Sequence, residues 1–235
     1  MPTKQKYISH LHEHDQVSKG AIPLTFFNLF WIFVIVSVVG LFGETIVSFS
    51  RDGAWESRAG LVFGPFSPIY GVGAVLITIT LNPLYDKSPI ALFVVASIIG
   101  ATFEYLAGWF FESAFGIVAW SYEGQFLNFH GHTCLLMACI WGLAGLVWMR
   151  CGLPLVMDIL GFIPQDARAA VTITVAAIMF IDIALTIGAL DCWYLRTAGA
   201  PIETPQQAFF AQFFDDQFMQ SRFETMSMWT SLASR

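Results

Sequence analysis

Long apolar stretches that carry almost no charge recur along this chain, and they decide its fold class. Four or more of them reach the roughly 20 residues that a helix needs to cross a bilayer core about 30 Å thick. Charged residues make up only 12% of the 235 residues and hydrophobic residues 56%, whereas an ordinary soluble domain has about 25% charged residues. Because backbone in lipid must satisfy its own hydrogen bonds, we expect an all-α, polytopic helical bundle in a membrane.

Changes in composition divide the chain into three regions. Residues 1–20 form a polar N-terminal tail, residues 21–196 carry the apolar stretches of a transmembrane domain, and residues 197–235 form a C-terminal tail. In this last region a capping-box pattern from Thr204 to Gln207 precedes phenylalanines at near-helical spacing. It predicts an amphipathic helix that packs on the membrane domain, on a partner or along a neutral interface. The net charge of −6 gives no basic footprint, so no nucleic-acid partner is expected.

About five transmembrane helices are expected, one of them broken or re-entrant. Between the last two lies a short stretch, residues 151–166, that two prolines interrupt. It is too short to span, so we expect an interfacial helix and turn there. The five predicted spans cover residues 21–49, 60–81, 89–115, 133–149 and 169–193.

The second of these spans is the broken one. Pro65 and Pro68 cannot lie inside a continuous helix, because proline has no N–H and its ring clashes with the preceding turn. With Ser67 as the N-cap, the regular helix runs from Pro68 to Leu81, about 21 Å at 1.5 Å per residue, which is too short to span alone. Residues 60–67 then enter the membrane as irregular backbone, which requires surrounding protein or a water-filled cavity. A loop that lies at the surface is the alternative.

Acidic side chains at membrane depth are the main functional signal. Glu104 and Glu112 lie within the stretch ATFEYLAGWFFESAFG, about 12 Å apart along a helix with Gly108 between them, and project to the same broad side. Glu44 lies near the end of the first span and Asp182 near the middle of the last, while no Lys or Arg lies inside any span. One acid at the centre of a span costs about 2.5–3.5 kcal/mol, so such residues are candidates for function.

Several chemistries fit these acids. An unpaired carboxylate in a medium of low dielectric constant favours its neutral form, so the acids could carry protons or bind a cation. With His130 and His132 they could also make a metal site, although no strict ligand spacing such as HExxH occurs. The carboxylate of Asp182 could instead be hydrogen-bonded to neighbouring helices. The histidines of the HLHEH run in the N-terminal tail are more typical of solvated side chains than of ligands.

Motifs for other chemistry are missing from the sequence. The chain has no GxxxxGK[ST] motif, so an ATP-driven role requires a separate ATPase subunit. It has no GxSxG or CxxC motif either, which argues against nucleophilic catalysis. No cofactor is expected.

Several blocks of sequence within about residues 30–150 form one ordered pattern. They are Gly40-Leu-Phe-Gly-Glu44, Gly64-Pro-Phe-Ser-Pro-Ile-Tyr-Gly-Val-Gly73, Glu104-Tyr-Leu-Ala-Gly-Trp-Phe-Phe-Glu112 with Phe115, Trp120-Ser-Tyr122, Asn128, Gly131 and Cys134-Leu135. Together these blocks resemble one bacterial family, called Putative ABC-transporter type IV. The family usually has Trp at the position of Leu41 and Asp at the position of Ser121, so an acid of the family pattern is missing from that loop.

The resemblance implies a permease-like protein of the bacterial cytoplasmic membrane, in contact with lipid and open to pairing with an ATPase subunit or a second copy. We therefore expect a carboxylate-lined intramembrane site for a cation, a proton or a small cationic or amphiphilic substrate. Two alternatives are an integral-membrane enzyme that acts on a lipid or small amphiphile through acid–base or metal-binding carboxylates, and a non-transporting partner subunit. The residues expected to bind the substrate are Glu44, Glu104, Glu112 and Asp182, with the Tyr70 hydroxyl and with Asn128 as a cap from the loop.

Overall fold

The computed structural model describes residues 21–53, 55, 57–224 and 227–228, and this part of the chain is mostly helical. The tail histidines lie outside the described residues. Within the described part, four helices are long and apolar enough to cross a membrane, and a fifth apolar helix is shorter. The protein is therefore a multi-pass membrane protein with about the predicted number of apolar segments. The four long helices are α1 (Phe26–Asp52), α3 (Pro89–Phe115), α4 continued by α5 (Leu135–Gly161) and α6 (Gln165–Thr197), and the short one is α2 (Pro68–Leu81).

The broken segment has the predicted form. Helix α2 begins at Pro68 with Ser67 as its N-cap residue, although the Ser67 side chain makes no capping hydrogen bond, and a 3₁₀ turn, Asn82–Leu84, follows it. The irregular backbone before α2 enters the protein, because Leu61 and Val62 are 3% and 2% exposed. Phe63, Gly64 and Pro65 are exposed, so the segment is enclosed by protein at its start and lies at the surface in its middle.

Helix α3 presents one buried stripe to the rest of the bundle. Ser88 caps its first turn by accepting a hydrogen bond from the Ala91 N–H at 3.3 Å, and the helix ends at Gly116, whose φ of 61° is left-handed. The buried residues recur every four positions, which places them on one face of a helix. At Gly100 a Cβ would overlap the Trp141 ring of α4, so glycine allows these two helices to approach closely. The stripe consists of Leu92, Ala96, Gly100, Glu104 and Gly108.

The fourth span continues beyond its predicted end. Helix α4 (Leu135–Val147) passes through a π-helical turn, Trp148–Gly152, directly into α5 (Leu153–Gly161). The sequence predicted a separate interfacial helix and turn over residues 151–166. This prediction was wrong for residues 151–161, which continue the span instead of forming a separate helix. Pro154 would leave the carbonyl four residues earlier without its partner, and a wider i→i+5 turn accommodates such a break without ending the helix.

The C-terminal residues fold back onto the membrane domain. Helix α7 (Pro205–Phe213) starts with the predicted capping box, and α8 (Asp216–Arg222) follows it. Beyond α8, the two-residue strand β2 (Ser227–Met228) pairs antiparallel with β1 (Ile117–Val118). We call residues 205–224 the C-terminal strap. Its apolar side chains share one core with the end of α6 and with the broken segment, and that core contains Val62, Ala189, Leu190, Trp193, Phe214, Met219 and Phe223.

Candidate functional site

A cavity of about 620 Å³ lies among the helices and is the candidate site. Residues of α1, α2, α3, α4 and α6 line it, together with the irregular backbone at residues 58–61 and the loop at residues 119–122. Its volume falls within the roughly 300–1,000 Å³ range of pockets that bind small molecules. Its charged lining residues are Glu44, Arg58 and Glu104.

Glu44 forms one polar corner of this cavity. Its carboxylate accepts a hydrogen bond from the Tyr70 hydroxyl at 2.5 Å. Tyr70 can pack this closely against α1 because residue 40, one turn before Glu44, is glycine, and a Cβ there would overlap the Tyr70 ring. Gly40 and Tyr70, which both belong to the sequence blocks described above, therefore act together to bring a hydroxyl donor to the Glu44 carboxylate.

Arg58 is the partner of Glu44 that the sequence did not reveal. It lies outside every predicted span, yet its Nη1 is 3.4 Å from Glu44 Oε1 and its Nη2 donates to Ser48 Oγ at 2.6 Å. The Arg58 side chain is 14% exposed and the Glu44 side chain is 34% exposed. No Lys or Arg lies inside a predicted span, but the chain turns back after α1 and brings Arg58 from outside the span beside Glu44.

Glu104 forms the second and more buried polar corner. It is 6% exposed, and its Oε1 accepts from the Tyr122 hydroxyl at 2.9 Å while its Oε2 accepts from Thr133 Oγ1 at 2.8 Å. The indole N–H of Trp141 lies near the Glu104 carboxylate but outside hydrogen-bond geometry, and it makes no hydrogen bond to any of the described residues. When it is ionised, a carboxylate with two neutral hydroxyl donors has no positive charge beside it, which suits it to a positively charged ligand.

The loop between α3 and α4 carries both hydroxyl donors to Glu104. The Tyr122 N–H bonds to the Gly131 carbonyl at 2.8 Å, and Trp120 Nε1 bonds to the His132 carbonyl at 2.9 Å. Gly131 has a φ of 73°, which a residue with a side chain adopts only with strain. These bonds fold the loop back on itself, so that Tyr122 and Thr133, eleven positions apart, meet at one carboxylate.

The two polar corners belong to one electrostatic site. Burial, and next the negative charge of Glu104, raise the pKa of Tyr122 above the usual tyrosine value, and Glu44 acts in the same direction. The Tyr122 hydroxyl therefore stays protonated and donates its hydrogen bond to Glu104 at all ordinary pH values. Since both carboxylates act on it, this hydroxyl lies within electrostatic range of Glu44 as well as Glu104.

Three of the predicted site residues lie outside the cavity lining. Glu112 lies beside the His132 ring, with Oε2 3.4 Å from Nε2, an ion pair when the histidine is protonated. Asn128 stabilises its own loop, since its Oδ1 accepts from the Gly131 N–H at 3.3 Å. Asp182 Oδ1 accepts from the Phe63 N–H at 3.1 Å and so holds the broken segment. The structure thus brings together Glu44, Tyr70 and Glu104.

The C-terminal strap also fixes the broken segment that forms part of the cavity wall. Arg222 donates from Nε to the Leu61 carbonyl at 2.8 Å and from Nη2 to the Gly64 carbonyl at 2.5 Å. Burial lowers the pKa of Arg222 below its usual value, and the negative charge of Asp182 opposes that shift. Nothing in the sequence pattern indicated this role, because Arg222 follows Leu61 by 161 positions.

The histidines do not gather into a metal site with the acids. His130 lies on an exposed part of the loop, where its Nδ1 is 3.1 Å from the Tyr105 hydroxyl oxygen. In the described part of the chain, no group of three or more His, Cys, Asp or Glu residues could hold a metal ion. The metal-site alternative has no support from these residues.

Comparison with known families supplies the remaining evidence. The family model described as Putative ABC-transporter type IV matches residues 31–187, well over half of the chain. The chain belongs to this family. No curated protein and no solved structure matches it. Family membership and the four apolar helices together make this a transport-related membrane protein. The match includes Glu44, Tyr70 and Glu104 and ends before the C-terminal strap.

Proposed function

We propose that the protein is a permease-like subunit whose cavity binds a cation through Glu44 and Glu104. The observation that carries the proposal is that two carboxylates from different helices, α1 and α3, line one cavity of ligand size. Apolar packing alone would have been cheaper at these positions, because an acid in a span costs about 2.5–3.5 kcal/mol. A ligand that needs negative charge accounts for both acids.

The charges around the cavity favour a monovalent cation over an anion. When all three side chains are ionised, the two carboxylates and the Arg58 guanidinium leave one net negative charge. The N-terminus of α2 also lines the cavity and contributes a partial positive charge of about one half. Its donors are largely used, because Pro68 has no N–H and the N–H groups of Ser67 and Tyr70 already bond to carbonyl oxygens. The net charge near the site remains negative.

Each lining residue then has a role in the proposal. Glu104 provides the charge that contacts the cation, and Tyr122 orients its carboxylate. Glu44 adds a second negative group, which Arg58 partly neutralises, and Tyr70 fixes its position. Asp182 and Asn128 act indirectly, through the broken segment and the loop, and Glu112 lies outside the cavity.

The proposed setting follows from the family. A permease that lacks its own nucleotide-binding motif requires a separate ATPase subunit for ATP-driven transport, and the cytoplasmic membrane of a bacterium is the proposed location. The chain itself would supply the route for the substrate and the binding site in the membrane.

Replacement of the central acid tests the proposal. Purified protein in lipid nanodiscs is assayed for binding of radiolabelled sodium and tetramethylammonium, with empty nanodiscs as the blank. We expect saturable binding of at least one of these cations, a loss of ten-fold or more in affinity for Glu104→Gln and a smaller loss for Glu44→Gln. Glu112→Gln is the matched control, because it changes an acid on the same helix outside the cavity, and it should bind normally. Absence of binding, or equal binding by Glu104→Gln and wild type, would contradict the proposal.

A further inference from the structure

We infer that the ligand of this cavity is an amphiphilic organic cation, a quaternary ammonium head on an apolar body, which enters from the bilayer. The inference rests on the proposed function and adds the chemical class of the ligand. It depends on how the cavity separates its polar side chains from its apolar ones.

The apolar end of the cavity is built from aromatic rings in mutual contact. The rings of Phe110 and Phe115 have centroids 5.8 Å apart, and those of Phe111 and Trp120 are 6.5 Å apart, both pairs in edge-to-face geometry. All four line the cavity, and Leu190 and Ile187 of α6 line it with them. Such a surface packs well against a hydrocarbon chain, but it offers no hydrogen bond to offset the desolvation of a polar group.

The two ends lie along one face of α3. Glu104 and Phe111 are seven residues apart, almost two whole turns, so their side chains project to nearly the same side about 10 Å apart along the axis. Phe115 continues the same face one turn later. A ligand that contacts both ends therefore needs a charged group and an apolar body about 10 Å long.

The polar end suits an organic cation better than a bare metal ion. Each oxygen of the two carboxylates already accepts a hydrogen bond or an ion-pair contact, from Tyr70 and Arg58 at Glu44 and from Tyr122 and Thr133 at Glu104. A dehydrated inorganic cation needs about six free oxygen ligands. A quaternary ammonium needs none, because negative charge and aromatic faces are sufficient to bind it. The cavity lining includes three aromatic residues near this end, Tyr70, Tyr122 and Trp141.

The cavity also reaches the outer surface of the bundle. Phe110 of α3 and Ile187 of α6 line it, and these side chains are 51% and 50% exposed. Both belong to helices that are long and apolar enough to cross the membrane, and we infer that the exposed part of these side chains faces the lipid chains. A molecule dissolved in the bilayer can therefore approach the aromatic end between α3 and α6.

Binding of three cations to the protein in nanodiscs tests this inference. The probes are sodium, tetramethylammonium and octyltrimethylammonium below its micelle concentration, with empty nanodiscs as the blank. We expect octyltrimethylammonium to bind at least ten-fold more tightly than tetramethylammonium, since each buried methylene adds to affinity. Sodium should bind most weakly. The Glu104→Gln variant should lose affinity for both ammonium ions.

Variants at the apolar end separate this inference from the proposed function. Phe110→Ala and Ile187→Ala, on opposite sides of the opening, should each reduce the preference for the octyl probe at least three-fold and leave tetramethylammonium binding unchanged. Phe180→Ala is the matched control, because this residue of α6 is 74% exposed and does not line the cavity. If small cations bind in a Glu104-dependent way without preference for the octyl probe, the inference is wrong and the proposed function stands. If no cation shows Glu104-dependent binding, both are wrong.

Discussion

Replacing Arg222 by methionine should loosen the wall of the cavity from a distance. Arg222 lies in the C-terminal strap, and the bonds that it donates are to backbone carbonyls of the broken segment, those of Leu61 and Gly64. Methionine keeps the apolar stem and removes the donors. The broken segment would then keep its attachment to α6 through Asp182 and Thr186.

The size of the effect follows from the two carbonyls. A hydrogen bond from a charged donor contributes about 1.5–3 kcal/mol. Gly64 is exposed, so water replaces the guanidinium there at little cost, whereas Leu61 is buried and its carbonyl loses most of the bond. Removal of a partly buried charge recovers some desolvation energy, which offsets the loss. We therefore expect the free energy of unfolding to fall by about 2 kcal/mol.

Two measurements check this prediction. The first is the free energy of unfolding in mixed micelles, and the second is hydrogen exchange at the amides of Val62 and Phe63, which should become faster. Arg150→Met is the matched control, because Arg150 is exposed and makes only a 3.5 Å hydrogen bond to the Lys87 carbonyl and a cation–π contact with the Tyr85 ring at 4.8 Å, so its loss should cost under about 1 kcal/mol. If Arg222→Met matches Arg150→Met in stability and leaves exchange unchanged, the strap does not hold the broken segment.

Four further substitutions test packing and hydrogen bonds by their free energies of unfolding. Gly100→Ala should lower the free energy of unfolding by about 1–3 kcal/mol, because the new Cβ would overlap a ring of α4. Gly43→Ala has open space around it and should raise the free energy of unfolding by about 0.5–1 kcal/mol. Changes of the same sign in the two variants would contradict this prediction. Tyr122→Phe should cost about 1.5–3 kcal/mol by removing the 2.9 Å bond to the Glu104 carboxylate, and an unchanged value would refute that bond. Asn82→Ala should cost about 2–4 kcal/mol, since two buried backbone groups lose their partner, and a loss below 1 kcal/mol would refute it.

The helix starts could be predicted because proline acts locally. Pro68 after Ser67 and Pro89 after Ser88 fix the first turns of α2 and α3, and both helices begin where the sequence predicts. The continuation of α4 into α5 was missed because Pro154 normally ends a helix. The π-helical turn that accommodates it depends on local geometry that no periodic pattern reveals.

The candidate site could be predicted only in part. Hydropathy shows that Glu44, Glu104 and Asp182 must avoid lipid, but it cannot show which of them share a space. Asp182 differs from the other two acids because its carboxylate accepts a hydrogen bond from the Phe63 N–H, which directs it to the broken segment. Arg58 was missed because its contact with Glu44 requires the chain to turn back after α1.

An experimental density map of the protein in a bilayer with saturating octyltrimethylammonium tests the central claim most directly. The account predicts density for the ammonium head beside the Glu104 carboxylate and within reach of Glu44, with the alkyl chain extending toward Phe111. A dry, closed contact between α1 and α3 at this level, with no ligand density between the two carboxylates, would contradict it.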